Sequence, residues 1–175
     1  ARYWTPSSRN QADATLCTPA GPAAGMDVMR SGLKLGGDGK RLDAIPYLVE
    51  REGTNGETLP ETHVVLKALR AAMDAECENR IFLAEANQSP AEVSSYFGNG
   101  DECHMAFHFP VMPRIYMAVA QQDRAPIVDI LAQTPQIPAG CQWAIFLRNH
   151  DELTLEMVTP EEREFMYGHY AKEAR

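Results

Sequence analysis

The stretch Gly39-Lys40-Arg41-Leu42-Asp43-Ala44 decides the expected fold, because a short run with apolar flanks delivers an arginine and then an aspartate at its end. The residues that follow, Ile45-Pro46-Tyr47-Leu48, contain a proline that stops regular structure. The same arrangement returns in Arg80-Ile81-Phe82-Leu83-Ala84-Glu85 and in the segment from Trp143 to Asp151. Three strands of buried type that each end in a carboxylate predict one shared active site.

Helical and extended patterns alternate along the whole chain. Helices are expected at 26–35, at 63–77 with Thr62 as N-cap, after Ser89-Pro90, at 111–120, at 124–133 and from Thr159-Pro160 onward. Strands are expected from Gly39, at 80–84, at 102–109 and at 142–147, while residues 1–25 are expected to be irregular.

This alternation predicts an α/β fold with βα units around a parallel sheet. Acids at the carboxyl ends of such strands are typical of barrel enzymes. We therefore expect one domain over residues 1–175, a partial (β/α)8 TIM barrel of about four βα units. An open doubly wound sheet also fits the alternation, but no Gly-rich phosphate loop joins a strand to a helix.

Composition limits the partners and the compartment. The 175 residues carry a formal net charge of −8, which argues against nucleic acid as a partner. No apolar run is long enough to span a membrane, and the first residues lack the apolar core of a signal peptide. The four cysteines are widely spaced without a CxxC pair, which favours free thiols in a cytoplasmic protein.

The residue types at the strand ends suit cleavage of a glycosidic bond with retention, which needs two carboxyl groups about 5–5.5 Å apart. Asp43 beside Arg41 would stay ionised and act as nucleophile, whereas Glu85 on an apolar strand would keep its proton and act as general acid. His150 and Asp151 would bind sugar hydroxyls. The alternative interpretation is that each acid only caps the turn after its strand.

The three strand ends resemble conserved regions of the α-amylase superfamily, glycoside hydrolase family 13. The surrounding sequence is similar to the trehalose synthases (maltose α-D-glucosyltransferases) in six segments: Arg41 to Leu48, Arg51 to Asn55, Leu59 to His63, Leu83 to Gln88, His104 to Tyr116 and Phe146 to Met157. The resemblance is close over 39–175. It implies a (β/α)8 barrel that interconverts maltose and trehalose through a glucosyl-enzyme intermediate, with these sugars and short α-glucans as substrates.

The resemblance also implies the role of each residue. Asp43 would be the nucleophile, Glu85 the acid/base and Asp151 the transition-state stabiliser. The substrate contacts would come from Arg41, Arg148 and His150. No cofactor is required by the resemblance, but it implies a calcium site at Tyr47, Leu48 and Glu50, which would bind weakly because the partner ligands from earlier strands are lacking.

Other interpretations remain open. The chain could be an α-glucosidase or α-amylase-type hydrolase of the same superfamily, or an inactive fragment that folds partly or self-associates through exposed sheet edges. It looks like the central segment of such an enzyme, about half of its barrel. Three places depart from the family: Lys40 stands for a large apolar residue, Ser31-Gly32 for bulky aromatics, and Gly56 for a cysteine.

Two further features carry expectations. The loop at Arg51–Asn55 would cover the sugar pocket and exclude water. His104 and His108 are spaced as metal ligands would be on a helix, but on a strand they are expected to be core or pocket histidines.

Overall fold

The computed structural model describes residues 20–49, 51–148 and 153–172. Its helices are α1 (Ala20–Lys34), α2 (Pro60–Glu76), α3 (Pro90–Val93), α4 (Val111–Gln121), α5 (Ala125–Ala132) and α6 (Pro160–Tyr170), and 3₁₀ turns cover Ile45–Tyr47 and Ser94–Phe97. The strands are β1 (Gly39–Leu42), β2 (Ile81–Ala84), β3 (Met105–Phe107) and β4 (Gln142–Ala144).

The strands form one parallel sheet in the order β1-β2-β3-β4. Leu42 pairs with Ala84, Ala84 with Ala106 and Ala106 with Trp143. A doubly wound sheet reverses its strand order at a switch point, whereas this order runs on without reversal. The prediction of a partial barrel with parallel βα units is therefore confirmed.

The core lies between the middle strands and the helices that follow them. Phe82, Ala84 and Ala106 are wholly buried, and α2 packs Leu66 and Met73 into the same cluster. In β2, which reads Ile-Phe-Leu-Ala, burial alternates along the strand: Phe82 and Ala84 face the core, whereas Ile81 is exposed and Leu83 half-buried.

Helix starts follow the sequence signals in two of three cases. The predicted starts at Ser89 and Thr159 are confirmed, each with a complete capping box that pairs it with Glu92 or Glu162. The predicted N-cap Thr62 is wrong, because α2 begins at Pro60 with Leu59 as N-cap. Proline suits the first helical turn, which places Thr62 inside that turn.

Two strands are shorter than predicted. At the start of β3, the imidazole of His104 accepts the N–H of Phe82, so a side chain replaces a strand residue as partner. After Ala144 the chain leaves the sheet, and Phe146 packs edge-on against Phe107 and Phe109 instead. The predicted strand positions beyond β3 and β4 are therefore loops.

The start of the described chain also differs from the prediction. α1 begins at Ala20, so residues 20–25 are helical although the sequence predicted an irregular segment there; residues 1–19 lie outside the described part. Two of the family departures meet here, because the ammonium of Lys40 lies where a β-carbon on residue 32 would stand. A side chain at position 32 would therefore require the end of Lys40 to move.

Within the described ranges, no helix is both long and apolar enough to cross a bilayer. The described cysteines, Cys77, Cys103 and Cys141, are free thiols. Burial raises the pKa of the Cys103 thiol to about 12, so it stays protonated in the core.

Candidate active site

Asp43 and Glu85 lie side by side at the carboxyl edge of the sheet. Each directly follows the last residue of its strand, and those last residues, Leu42 and Ala84, are partners in the parallel ladder. The pairing continues past the strands, since the N–H of Glu85 donates to the carbonyl of Leu42 at 3.1 Å. The two acids that the sequence placed at separate strand ends are thus neighbours.

Arg41 contacts both acids through a single nitrogen. Its Nη2 lies 2.9 Å from Asp43 Oδ1 and also contacts Glu85 Oε2. Two oxygens that share one nitrogen are separated by no more than two hydrogen-bond lengths, roughly 6 Å. Retaining glycosidases need about 5–5.5 Å between carboxyl groups, and inverting ones need about 6.5–9.5 Å. The observed arrangement fits retention.

The two carboxylates differ in exposure. The side chain of Asp43 is 76% exposed, whereas that of Glu85 is 13% exposed. Asp43 is therefore open to solvent, and Glu85 stands in a drier position against the sheet edge. The prediction that Glu85 keeps its proton stays a prediction.

A left-handed residue turns the chain directly after Asp43. Ala44 has φ 43° and ψ 44°, a conformation that residues with a β-carbon seldom adopt. Ile45 then begins a 3₁₀ turn with its N–H directed to the carbonyl of Glu85. Asp43 thus follows Leu42 of β1 directly, and Ile45, two residues further on, is hydrogen-bonded to the residue that follows β2.

Four polar side chains in the segments after the strands interact with one another. Asn87 Nδ2 donates to Glu156 Oε2 at 2.6 Å, which ties the segment after β2 to the segment after β4. Partial burial raises the pKa of the Tyr47 phenol, and the carboxylates of Glu57 and Glu156 raise it further. No role in the site was predicted for Asn87, Glu57 or Glu156, although Asn87 and Glu156 lie in the quoted motifs.

Part of the predicted site lies outside the described residues. His150, Asp151 and Glu50 are in that group, so their roles stay predictions. Arg148 is described and lies exposed beyond the end of β4.

The implied calcium site stays a prediction, because its ligand Glu50 lies outside the described residues. The other two predicted ligands are described: Tyr47 is exposed, and Leu48 closes the 3₁₀ turn by donating its N–H to the carbonyl of Ile45. Across 20–49, 51–148 and 153–172, no three His, Cys, Asp or Glu side chains converge as metal ligands would.

His104 and His108 have structural roles. His104 Nδ1 accepts the N–H of Phe82 at 3.1 Å. The Nδ1 atom of His108 accepts the N–H of Val111 at 3.2 Å, so its Nε2 carries the proton and donates to Thr134 Oγ1 at 2.8 Å. These contacts agree with the expectation of core or pocket histidines.

A cavity of about 350 Å³ opens beside Asp43, between α1, β1 and α2. Arg41 and Asp43 reach it from one side, but its lining is mainly apolar and includes Val28, Met29, Leu42, Leu66 and Leu69. Such a lining supplies few hydrogen-bonding partners to a polar ligand.

The fold and the paired acids define a barrel enzyme of the α-amylase class. The chain matches the family model described as "Alpha amylase, catalytic domain" over residues 3–168, and it belongs to that family. The match includes most of residues 1–38, which the quoted motifs did not cover.

Among curated relatives, the chain is similar to trehalose synthases. It is 61% identical to the trehalose synthase/amylase TreS of Mycolicibacterium smegmatis over 99% of this chain and 30% of that protein. It is 54% identical to the trehalose synthase of a Pimelobacter species (99% and 32%) and 51% identical to that of Thermus thermophilus (100% and 18%). The chain thus spans at most about a third of the length of these relatives.

Solved structures support the fold. A sucrose 6F-phosphate phosphorylase from Thermoanaerobacter thermosaccharolyticum superposes with a TM-score of 0.78 at 15% identity, covering 94% of this chain and 34% of that one. An α-amylase from H. orenii superposes with a TM-score of 0.61 at 16% identity, covering 82% and 29%.

Proposed function

We propose that this chain is the central barrel segment of a trehalose synthase that interconverts maltose and trehalose. The observation that carries the proposal is the shared Arg41 nitrogen, which holds Asp43 and Glu85 at the close spacing of a retaining enzyme. The relatives named as trehalose synthases support the choice among retaining activities.

The reaction follows from the placement of the two acids. Asp43 attacks the anomeric carbon of the non-reducing glucose, the glycosidic C–O bond breaks, and Glu85 gives its proton to the departing oxygen. This leaves a glucosyl ester on Asp43 and a free glucose. That glucose turns, its anomeric hydroxyl attacks the anomeric carbon of the bound glucosyl group, Glu85 takes the hydroxyl proton, and the bond from that carbon to Asp43 breaks so that Asp43 leaves as a carboxylate.

Arg41 has a specific part in this proposal. Arg41 contacts both carboxylates in the structure. In the proposal the glycosidic oxygen takes the place of Arg41 beside Glu85, while Arg41 keeps its contact with Asp43 and orients that carboxylate for attack. Arg148, His150 and Asp151 complete the proposal as substrate contacts and transition-state stabiliser.

Water exclusion decides which product forms. The glucosyl ester yields trehalose only if glucose reaches it before water does. The loop at 51–59 runs from the 3₁₀ turn after Asp43 to the start of α2, which is the position from which it can cover the pocket. We also propose a cytoplasmic location, which the free thiols support.

A second candidate is hydrolysis of α-glucans, because the M. smegmatis relative is named both synthase and amylase. The two candidates share Asp43 and Glu85 and differ in the acceptor of the glucosyl group. Glucose without trehalose as the product would favour this candidate.

The test is incubation with maltose. The 175-residue chain and a chimera, in which it replaces the matching segment of the M. smegmatis relative, are assayed side by side for trehalose and glucose. We expect trehalose from the chimera and none from its Asp43→Ala variant. Glucose alone from the chimera would overturn the synthase assignment, and trehalose from the Asp43→Ala variant would overturn the assignment of the nucleophile.

A further inference from the structure

Thr58, at the end of the 51–59 loop, has a strained backbone. Its φ of 50° lies in the left-handed region, where a β-branched residue is a genuine outlier. Such a conformation persists only where the surrounding contacts determine it more strongly than the local preference opposes it. Specific contacts must therefore hold Thr58 in this conformation.

The side chain of Thr58 belongs to a closed ring of hydrogen bonds with Gln88 and Tyr96. The Gln88 amide must point its Nε2 to Glu57 Oε1, 2.7 Å away, because a carboxylate only accepts. The same Nε2 donates to Thr58 Oγ1 at 3.0 Å, and Gln88 Oε1 accepts from the Tyr96 hydroxyl at 3.2 Å. The Tyr96 proton is thus used, so Thr58 donates its own proton to Tyr96 across 2.8 Å.

Two of the three ring members are buried, and Tyr96 is also supported by His63. Tyr96 is wholly buried and Gln88 nearly so, which makes each lost hydrogen bond costly. His63 stacks on the Tyr96 ring with centroids 5.6 Å apart, and its Nδ1 lies 2.8 Å from Glu102 Oε2. The Tyr96 hydroxyl therefore has a fixed position toward which Thr58 is held.

The backbone of Thr58 joins the ring to the segment after Asp43. Its N–H donates to the carbonyl of Pro46 at 2.7 Å, and Pro46 lies in the 3₁₀ turn that follows Asp43. Gln88 lies in the segment that follows Glu85. Thr58 is thus the point at which the segments after both acids meet the end of the 51–59 loop.

We propose that Thr58 is a positioning residue that, with Gln88 and Tyr96, latches the 51–59 loop over the paired acids and so keeps water from the glucosyl intermediate. We call these three residues the Thr58 latch. The predicted effect of the latch on the products rests on the proposed function, whereas the existence of the latch does not. Thr58 itself touches no reacting atom in this proposal.

The latch is tested first in the 175-residue chain by limited trypsin digestion. Arg51, at the exposed start of the loop, is a cleavage site whose rate reports loop opening, and exposed Arg124 before α5 is an internal reference for general unfolding. We expect Thr58→Val and Tyr96→Phe to raise the ratio of Arg51 to Arg124 cleavage about fivefold, the population change that loss of one hydrogen bond gives. Thr58→Ser, which keeps the hydroxyl, should stay near wild type.

A matched control removes a tyrosine hydroxyl elsewhere. Tyr170 donates to the carbonyl of Tyr116 at 2.9 Å, far along the chain from the loop, so Tyr170→Phe should leave the cleavage ratio unchanged. An unchanged ratio in both Thr58→Val and Tyr96→Phe would overturn the latch. A parallel rise at Arg51 and Arg124 would assign these residues to general stability and would also overturn it.

The effect on products is tested in the chimera by the ratio of glucose to trehalose formed from maltose. This ratio does not depend on the fraction of folded enzyme. We expect it to rise about fivefold in Thr58→Val and Tyr96→Phe and to return toward wild type in Thr58→Ser. Faster Arg51 cleavage with an unchanged product ratio would overturn the role in water exclusion. Absence of trehalose from the wild-type chimera would contradict the proposed function instead, and the digestion would still decide the latch.

Discussion

The N–H of Ile45 donates a hydrogen bond of 3.2 Å to the carbonyl oxygen of Glu85. Because β1 ends at Leu42, this bond extends the pairing of β1 and β2 beyond the strands and past both acids. It forms across the left-handed turn at Ala44. The backbone before Asp43 is therefore fixed in β1, and the backbone two residues after it is hydrogen-bonded to Glu85 at the end of β2.

The turn at Ala44 predicts an unusual response to substitution. Ala44→Val should lower the free energy of unfolding by about 1–3 kcal/mol, because a β-branched side chain fits a left-handed backbone poorly. Ala44→Gly should change it by less than about 1 kcal/mol, since relief of the β-carbon clash is offset by greater freedom of the unfolded chain. Urea denaturation measures both. Ala68→Val on the exposed face of α2 is the control, and an equal loss there would contradict the argument from backbone strain.

Arg41 should matter far more than an arginine of equal exposure. Arg41→Ala should lower turnover of maltose roughly 10²–10³-fold, the usual effect of losing one placed charge donor. Arg41→Lys should not restore it, because an ammonium lacks the planar fork of guanidinium nitrogens. Arg30 is the matched control: it is also 39% exposed and bridges two carboxylates, but on α1, so Arg30→Ala should leave turnover unchanged. Comparable losses in the two alanine variants would refute a specific role.

The roles of Glu85 and Asp43 should be distinguishable with two substrates that differ in their leaving group. Glu85→Gln should lower turnover of maltose roughly 10²–10⁴-fold, but fluoride release from α-glucosyl fluoride much less, because fluoride departs without a proton. Asp43→Asn should abolish turnover of both substrates, since each needs the nucleophile. If the two variants lose activity on both substrates alike, the acid/base assignment of Glu85 is wrong.

His108 should make stability depend on pH. Burial lowers the pKa of His108, and Arg114 lowers it further. The unfolded chain then binds more protons than the folded one as pH falls below about 6.5, so stability is full above that pH and is lost as pH falls toward the folded pKa. The structural reason is that a proton on Nδ1 would oppose the N–H of Val111.

The measurement compares His108→Asn with wild type in urea at pH 7.5 and pH 5. Asparagine offers an acceptor near the Nδ1 position but does not titrate, so the variant should lose less stability on acidification. Burial raises the pKa of Glu102, which acts in the opposite sense, so the difference between the proteins is the relevant quantity. Exposed His169→Asn is the control, and a pH response of His108→Asn equal to wild type would count against the prediction.

The isolated chain should self-associate through the β4 edge of the sheet. β4 ends the strand order, and exposed Ile145 and Leu147 continue from it. An edge with apolar neighbours favours pairing with another chain. Ile145→Lys with Leu147→Lys should reduce the mass measured by sedimentation at high concentration, whereas Val64→Lys, an equally exposed apolar site on α2, should not. A wild-type chain that stays monomeric at every concentration would contradict self-association through this edge.

The sequence predicted most of the fold because local signals were strong. Capping boxes at Ser89 and Thr159 mark helix starts, and the apolar run in β2 marks a strand that reaches the core. What failed depended on tertiary contacts. The extent of β3 is set by the imidazole of His104 acting as a strand partner, and no periodicity in the sequence carries that information.

The residue types of the candidate site could be predicted from the sequence, but the contacts between those residues could not. The acids at strand ends follow from the alternation of strands and helices, and their closeness follows from a parallel register. The sharing of Arg41 by both acids and the ring at Thr58 join residues distant in sequence. Only the folded arrangement reveals them.

The pairing of Lys40 with Gly32 has a practical meaning for exchanging segments between relatives. Any side chain introduced at position 32 would have to displace the ammonium of Lys40, which lies at the end of a flexible side chain. The two positions share one space, so a graft boundary drawn between them would separate residues that adjust to each other. Recombination should keep 32 and 40 within one inherited block.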